Sequence, residues 1–289
     1  MNLQPATAHG KLDEKQRRAL ISLLADDDQN VYQTVRQKII SYGPASVPWL
    51  REHTLSNDPV LRRRAREIDG HFARQAADTE LLAFCLNQGE DFDLEQSVLL
   101  LSRTQYPEIN PEAYSALLDE YAGELRDRLD LNGDPGQILR AINEYLFLEL
   151  KFTGDEHNFY DPANSYFSQV LDRRTGNPIS LSLVYLLLAR RLRLPMTIIG
   201  LPVHFLCRYQ SSRAELFIDA FRGGRLMTKA DCINRVLQLR QRFDESSLAP
   251  VSSRRILLRI CAHLHQIYTQ RKSADQVERL QRYLVALAK

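Results

Sequence analysis

The sequence predicts an α+β fold that is predominantly helical, with one small antiparallel sheet against a buried central helix. Three observations predict it. Apolar residues recur at helical spacing through most of 12–150 and again over 252–289. A nearly all-apolar run, Pro178 to Leu192, reads as a helix buried on every side. Directly after it, residues 196–222 switch to a period of two, the spacing of strands. With 289 residues and 44% apolar composition, the chain has room for two domains or for one with appendages, and for a sizeable core.

Residues 12–90 read as successive helices. Leu20, Leu23 and Leu24 begin an apolar stripe. Asp28 caps a second helix carrying Val31, Val35, Ile39 and Ile40, and Gly43-Pro44 stops it. Pro48-Trp49-Leu50 follows, then Asn57-Asp58-Pro59, where a proline beside a capping acid marks another helix start. This order resembles a HEAT repeat, so 1–90 is expected to be a HEAT-like helical region. The run Arg62-Arg63-Arg64-Ala65-Arg66 reads as a solvated helix face with Ile68 and Phe72 turned inward, because Asp58, Glu67 and Asp69 share the stretch. A phosphate-binding strip is the alternative.

Helices are expected over Leu94–Leu101, Ala113–Leu129 and Gln137–Leu148, punctuated by Tyr106-Pro107, Asn110-Pro111 and Gly133-Asp134-Pro135-Gly136. Residues 151–168, rich in Asp, Asn, Gly and aromatics, read as a structured loop or short turns. After the buried helix, which Pro195 ends, strands are expected at Met196–Gly200, Val203–Tyr209 and Glu215–Phe221. Gly223-Gly224 turns the chain, and Thr228 with Asp231 caps a helix through Leu239. Two amphipathic helices fill 252–289, lined by Leu257, Ile260, Cys261, Leu264 and Ile267 and by Val277, Leu280, Leu284 and Leu287.

Composition narrows the function. Lys+Arg (38) and Asp+Glu (36) nearly balance, at +2, whereas a general nucleic-acid binder carries a strong basic excess. Nucleic acid is therefore the weakest partner reading. Met1 to Lys15 holds no apolar signal core. The most apolar run, Ile179–Ala189, falls short of the roughly 18 residues a membrane span needs, so no membrane is expected. Cys85, Cys207, Cys232 and Cys261 stand far apart with no CxxC pair, which predicts buried apolar thiols, no metal site, no cofactor and a cytoplasmic setting.

One constellation carries chemistry. A hairpin centred between Ser211 and Ser212 would place His204 directly opposite Asp219. Asp219 would then orient the imidazole, the base-and-orienter half of a catalytic triad. A His–Asp pair that merely satisfies two polar groups is the alternative. A nucleophile should come from the start of the buried helix, where the dipole and free N–H groups activate it. The residues there are Gly176-Asn177-Pro178-Ile179-Ser180, with no cysteine. Ser180 and Ser182 are the hydroxyls on those turns, and serine near a helix start is also ordinary. Cys207, three residues beyond His204, points to the other sheet face. Tyr160, Asp161, Asn164 and Tyr166 are candidates to position a ligand, or turn formers that hold the loop on the sheet.

The stretch from Phe152 through Asp155, Tyr160-Asp161-Pro162, Asn164-Ser165-Tyr166, Asp172-Arg173-Arg174 and Gly176-Asn177-Pro178-Ile179-Ser180-Leu181-Ser182 resembles a bacterial family. So do Leu201-Pro202-Val203-His204-Phe205-Leu206 and Phe217-Ile218-Asp219-Ala220-Phe221-Arg222-Gly223-Gly224. The match is to the SirB-type transglutaminase-like proteins, whose core also occurs in an F-box-associated eukaryotic branch, and it covers roughly 91–289. The resemblance implies a transglutaminase/papain-like core over 91–245 and a tetratricopeptide-like helical hairpin over 246–289. In catalytic members a Gly-x-Cys opens the central helix, and His and Asp follow on strands. His204 and Asp219 match the latter two; Pro178 falls at the cysteine's place. Asp155, Arg193 and Ala220 depart from the Asn, Gly and Pro that relatives tend to have. The expected function is a non-catalytic module in which a cleft that includes Pro178 binds a peptide or protein partner. The alternative is a serine-dependent hydrolase or acyltransferase using Ser180, His204 and Asp219.

Overall fold

The computed structural model describes residues 12–202, 204–238, 240 and 244–289. Two compact units divide at Ala77 and Asp78. The first contains α1 (Glu14–Ser22), α2 (Gln29–Ser41), the short α3 (Val47–Leu50) and the start of α4 (Pro59–Asn87). Asp13 and Asp28 cap α1 and α2, each accepting from a free N–H of the first turn. Ile21, Leu24, Tyr32, Val35, Ile39, Leu50, Ala65, Ile68 and Phe72 form its core. The arginine run of α4 is largely occupied with backbone carbonyls. Arg62 donates to Ser56 O, Arg66 to Thr54 O, and the buried Arg64 to Leu24 O and Asp26 O while lying over the Tyr32 ring.

The second unit holds α5 (Leu94–Arg103), α6 (Pro111–Arg128), α7 (Pro135–Asn143), α8 (Phe167–Arg173), α9 (Pro178–Arg191), α10 (Lys229–Gln238), α11 (Ser253–Gln270) and α12 (Ala274–Leu287). Leu239, the expected end of α10, lies outside the described residues. Asp93, Asn110 and Asp134 cap α5 to α7, and proline opens the last two of these. The helix expected through Leu148 leaves α-geometry at Glu144 and continues as a π-turn to Glu149. Every residue of α9 from Pro178 to Ala189 is buried. At its end Arg191 grips Glu95 (2.7 Å) and Asp119 (2.6 Å).

Strands β3 (Met196–Leu201), β4 (His204–Gln210), β5 (Glu215–Asp219) and β6 (Arg225–Met227) form an antiparallel sheet in sequence order. Alternation divides its faces. Met196, Ile198, Phe205, Cys207, Tyr209 and Ile218 join the core around α9. Ile199, Leu201, Leu206, Phe217 and Met227 pack instead with Cys232 and Val236 of α10 and with Leu248. The sheet is thus a middle layer. Two short parallel strands, β1 (Thr153–Gly154) and β2 (Thr175–Gly176), tie the loop after the π-turn to the entrance of α9. In the four-stranded sheet three features depart from the expectation: β5 stops at Asp219, Ala220–Arg222 is a 3-10 turn, and β6 is an added strand. The antiparallel helices α11 and α12 share the core of the second unit through Leu257, Cys261, Leu264, Leu280 and Tyr283.

Candidate functional site

The site begins at the entrance of α9. Asn177 and Ser180 form a reciprocal cap: Ser180 N–H donates to Asn177 Oδ1 (3.0 Å), and Asn177 N–H donates to Ser180 Oγ (3.0 Å). Ser180 Oγ donates in turn to Asn164 O at 2.7 Å. Gly176 is required by this packing, because a Cβ there would lie 2.5 Å from Ser180 Oγ and 3.1 Å from Val170 Cγ1. Asn164, fully buried, donates through Nδ2 to Asn158 O (2.9 Å) and Asp155 Oδ2 (3.1 Å). Asp161 caps the next turn and accepts from Arg173 at 3.0 Å. Tyr166 is fully buried, edge-on to Tyr106 and 3.4 Å from the Tyr268 hydroxyl. Asp161, Asn164 and Tyr166 therefore build the loop. The Tyr166 ring belongs to the core of the second unit.

Tyr160 and Pro178 do meet in a cleft. Phe159, Tyr160, Pro178, Ile179, Phe205, Arg259 and His263 line a space of about 350 Å3. Tyr160 stacks on His263 with ring centres 6.0 Å apart, and Phe159 meets His263 edge-on at 5.6 Å. Burial pushes the His263 imidazole down, so it stands as a neutral aromatic wall at neutral pH. The Arg259 guanidinium lies 5.6 Å over the Phe205 ring and has no ion-pair partner among the described residues. Phe159, Phe205, Arg259 and His263 were missed from sequence. A signal existed: Arg259, Ala262, His263 and Gln266 recur at helical spacing on α11, opposite its apolar stripe, and line this cleft.

His204 and Asp219 are paired, His204 Nε2 to Asp219 Oδ1 at 2.8 Å. The register differs from the expected one. The loop is Ser211–Ala214, so Cys207 opposes Ile218 and Gln210 opposes Glu215. The shift moves Asp219 to a diagonal position. A displacement of two residues keeps both side chains on one face, and the bond survives. That face is the one under α10, since His204 pairs with Leu201 across β3 and β4. Arg235 of α10 supplies what sequence reasoning lacked: its Nη1 donates to Asp219 Oδ2 at 3.0 Å. Burial would raise the Asp219 carboxyl, but the His204 bond, the His204 charge and the Arg235 and Arg222 guanidiniums outweigh it and hold it below the usual carboxylate range. Asp219 is therefore the acceptor, and His204 Nε2 carries the proton.

His204 and Pro178 line different cavities, Pro178 the cleft and His204 a polar cavity under α10. Phe221 touches both regions, 6.2 Å from the His204 ring and 6.1 Å from Phe159. Ser180 lines neither of these two cavities, and its hydroxyl is held in the cap rather than on His204. Among the described residues no group of three or more His, Cys, Asp and Glu could hold a metal ion. Nor is any described helix long and apolar enough to cross a membrane.

A model of the transglutaminase-like superfamily matches residues 112–262, from α6 into α11. The chain belongs to the transglutaminase-like superfamily. Among its relatives, the UPF0162 protein of Xylella fastidiosa (strain 9a5c) is 34% identical over 199 residues, 66% of this chain and 70% of that protein. The UPF0162 protein of Pseudomonas aeruginosa is 30% identical over 192 residues, covering 64% and 68%. F-box only protein 21 of Mus musculus is 42% identical over 104 residues, 33% of this chain and 17% of that protein. No solved structure matches the chain.

Within this transglutaminase-like protein all four thiols are buried with no exposed surface. Burial pushes Cys85 up to about 11 and Cys232 up to about 12, and drives Cys207 and Cys261 higher still. An attacking thiolate needs the opposite environment, electropositive and open. Ellman titration of the native protein is expected to find essentially no reactive thiol, and all four after denaturation. A native thiol reacting as fast as free cysteine would contradict this.

Proposed function

We propose that this transglutaminase-like protein is not an acyl-transfer enzyme and instead holds a peptide segment of a partner protein in the cleft at the start of α9. The observation that carries the reading is the first turn of that helix. Pro178 stands where the resemblance puts the thiol, and the nearby Ser180 hydroxyl is tied to Asn164 and Asn177. Covalent catalysis needs a nucleophile in hydrogen-bond reach of its base. Here His204 is bound to Asp219 on the sheet face under α10.

The cleft suits a peptide. Phe159, Tyr160, Ile179 and Phe205 offer apolar and aromatic walls, and Arg259 adds one unpaired cation. An apolar side chain followed by a carboxylate complements both. The reading places the chain in the SirB-type branch as a cytoplasmic interaction module, with HEAT-like and tetratricopeptide-like helical ends as added surface.

Fluorescent peptides that pair Phe or Leu with Glu are expected to bind saturably by anisotropy. Tyr160→Ala and Arg259→Ala should each weaken them roughly five- to tenfold. A glutamine-donor peptide with an amine acceptor should show no turnover, and turnover that His204→Ala abolishes would overturn the proposal. The serine-dependent alternative rests on the 2.8 Å His204–Asp219 pair; labelling of Ser180 by an acyl-serine probe in folded protein would favour it.

A further inference from the structure

We infer that the polar cavity under α10 is an oxyanion site, taking a carboxylate or phosphate group, separate from the peptide cleft. The cavity measures about 500 Å3 and shares no lining residue with that cleft. Separate elements supply it. Arg222 comes from the 3-10 turn, Arg225 and Met227 from β6, His204 from β4, and Arg235 from α10. On α10, Asp231, Asn234, Arg235 and Gln238 recur at i, i+3, i+4 and i+7 and form a polar face. Cys232 and Val236, on its other side, are buried in the core. The helix therefore has two faces, one packed on the sheet and one bordering the cavity.

The charge balance points to an anion. Arg222, Arg225 and Arg235 bring three positive charges, against Asp231 in the lining and Asp219 beneath it. Three cations against two carboxylates leave one net positive charge, and both carboxylates are held by hydrogen bonds. Asp219 Oδ1 accepts from His204 and Oδ2 from Arg235 (3.0 Å). Asp231 Oδ2 accepts from Thr228 N–H (2.8 Å) and from its hydroxyl (2.7 Å). Arg222 and Arg225 are exposed and have no ion-pair partner among the described residues. Guanidiniums lining one space fit the planar carboxylate or the tetrahedral phosphate, each through charge-assisted hydrogen bonds. Asp219 positions this set: it holds His204 and Arg235 together from behind, and its backbone pairs with Arg225 across β5 and β6. This gives the His–Asp pair a use that needs no nucleophile.

Titration calorimetry of the full chain at constant ionic strength, with inorganic phosphate and with succinate, tests the site. At least one probe is expected to saturate with one-to-one stoichiometry. Arg222→Ala/Arg225→Ala should weaken it at least about tenfold, while Arg259→Ala in the peptide cleft leaves it unchanged. Saturation by phosphate alone assigns a phosphate ester, and by succinate alone a carboxylate. Because both arginines are exposed, the double variant should keep the wild-type circular dichroism spectrum. If neither probe saturates, or if the folded double variant binds as wild type does, the inference falls.

Discussion

Gly224→Ala is expected to destabilise the second unit by about 2–4 kcal/mol, the combined cost of a strained backbone and a steric collision. Gly224 has φ +75°, where a side chain is unfavourable. A Cβ there would also run into the Asn143 amide and come within 2.7 Å of Phe147 Cε2. Asn143 has little freedom to retreat, because its Nδ2 donates to Gly224 O at 2.6 Å. Gly223 provides the control. Its φ is +63°, yet a Cβ would meet nothing within 4 Å. Gly223→Ala should therefore cost only the left-handed strain, about 1–2 kcal/mol. Urea denaturation followed by far-UV circular dichroism reads the difference. Trp49, the single tryptophan, lies in the first unit and reports on that one. Equal midpoints for the two variants would show that the Asn143 contact does not resist the methyl group.

Asp219→Asn should cost about 3 kcal/mol at neutral pH, toward the lower end for a broken buried ion pair. Asp219 is fully buried between His204 and Arg235, and only Arg235, a quarter exposed, can turn to water for compensation. The effect carries a pH signature. Because the folded carboxyl is held below its unfolded value, its stabilisation is complete above the unfolded value of about 3.9 and disappears as pH falls through the folded one. The gap between wild type and variant should thus close as pH falls below the carboxylate range. Denaturation at several pH values measures it. A gap that is already absent at pH 7, or that persists unchanged well below the carboxylate range, would count against Asp219 as the anchor of the site.

Much of this was legible because burial leaves a period in the sequence. The run Pro178–Leu192 could only be a helix apolar on every side, and α9 is buried from Pro178 to Ala189. The strands after it alternate because each face of the sheet meets a different core. Pairing His204 with Asp219 was within reach for the same reason: a register error of two residues leaves both on one face. The loop itself was not legible, since Gln210-Ser211-Ser212-Arg213-Ala214-Glu215 is polar enough to turn at more than one place.

The sequence by itself determined most of the helices and the three longer strands, together with the central helix that Pro178 opens. Each rests on local periodicity or on a residue's own chemistry. Tertiary structure alone decided that the Ser180 hydroxyl donates to Asn164 O, that Arg235 holds the second oxygen of Asp219, and that Pro178 and His204 line different cavities. Those outcomes depend on where α10, α11 and the 155–164 loop pack against the sheet and α9. Packing is set by contacts between segments distant in the chain, and no local spacing records it.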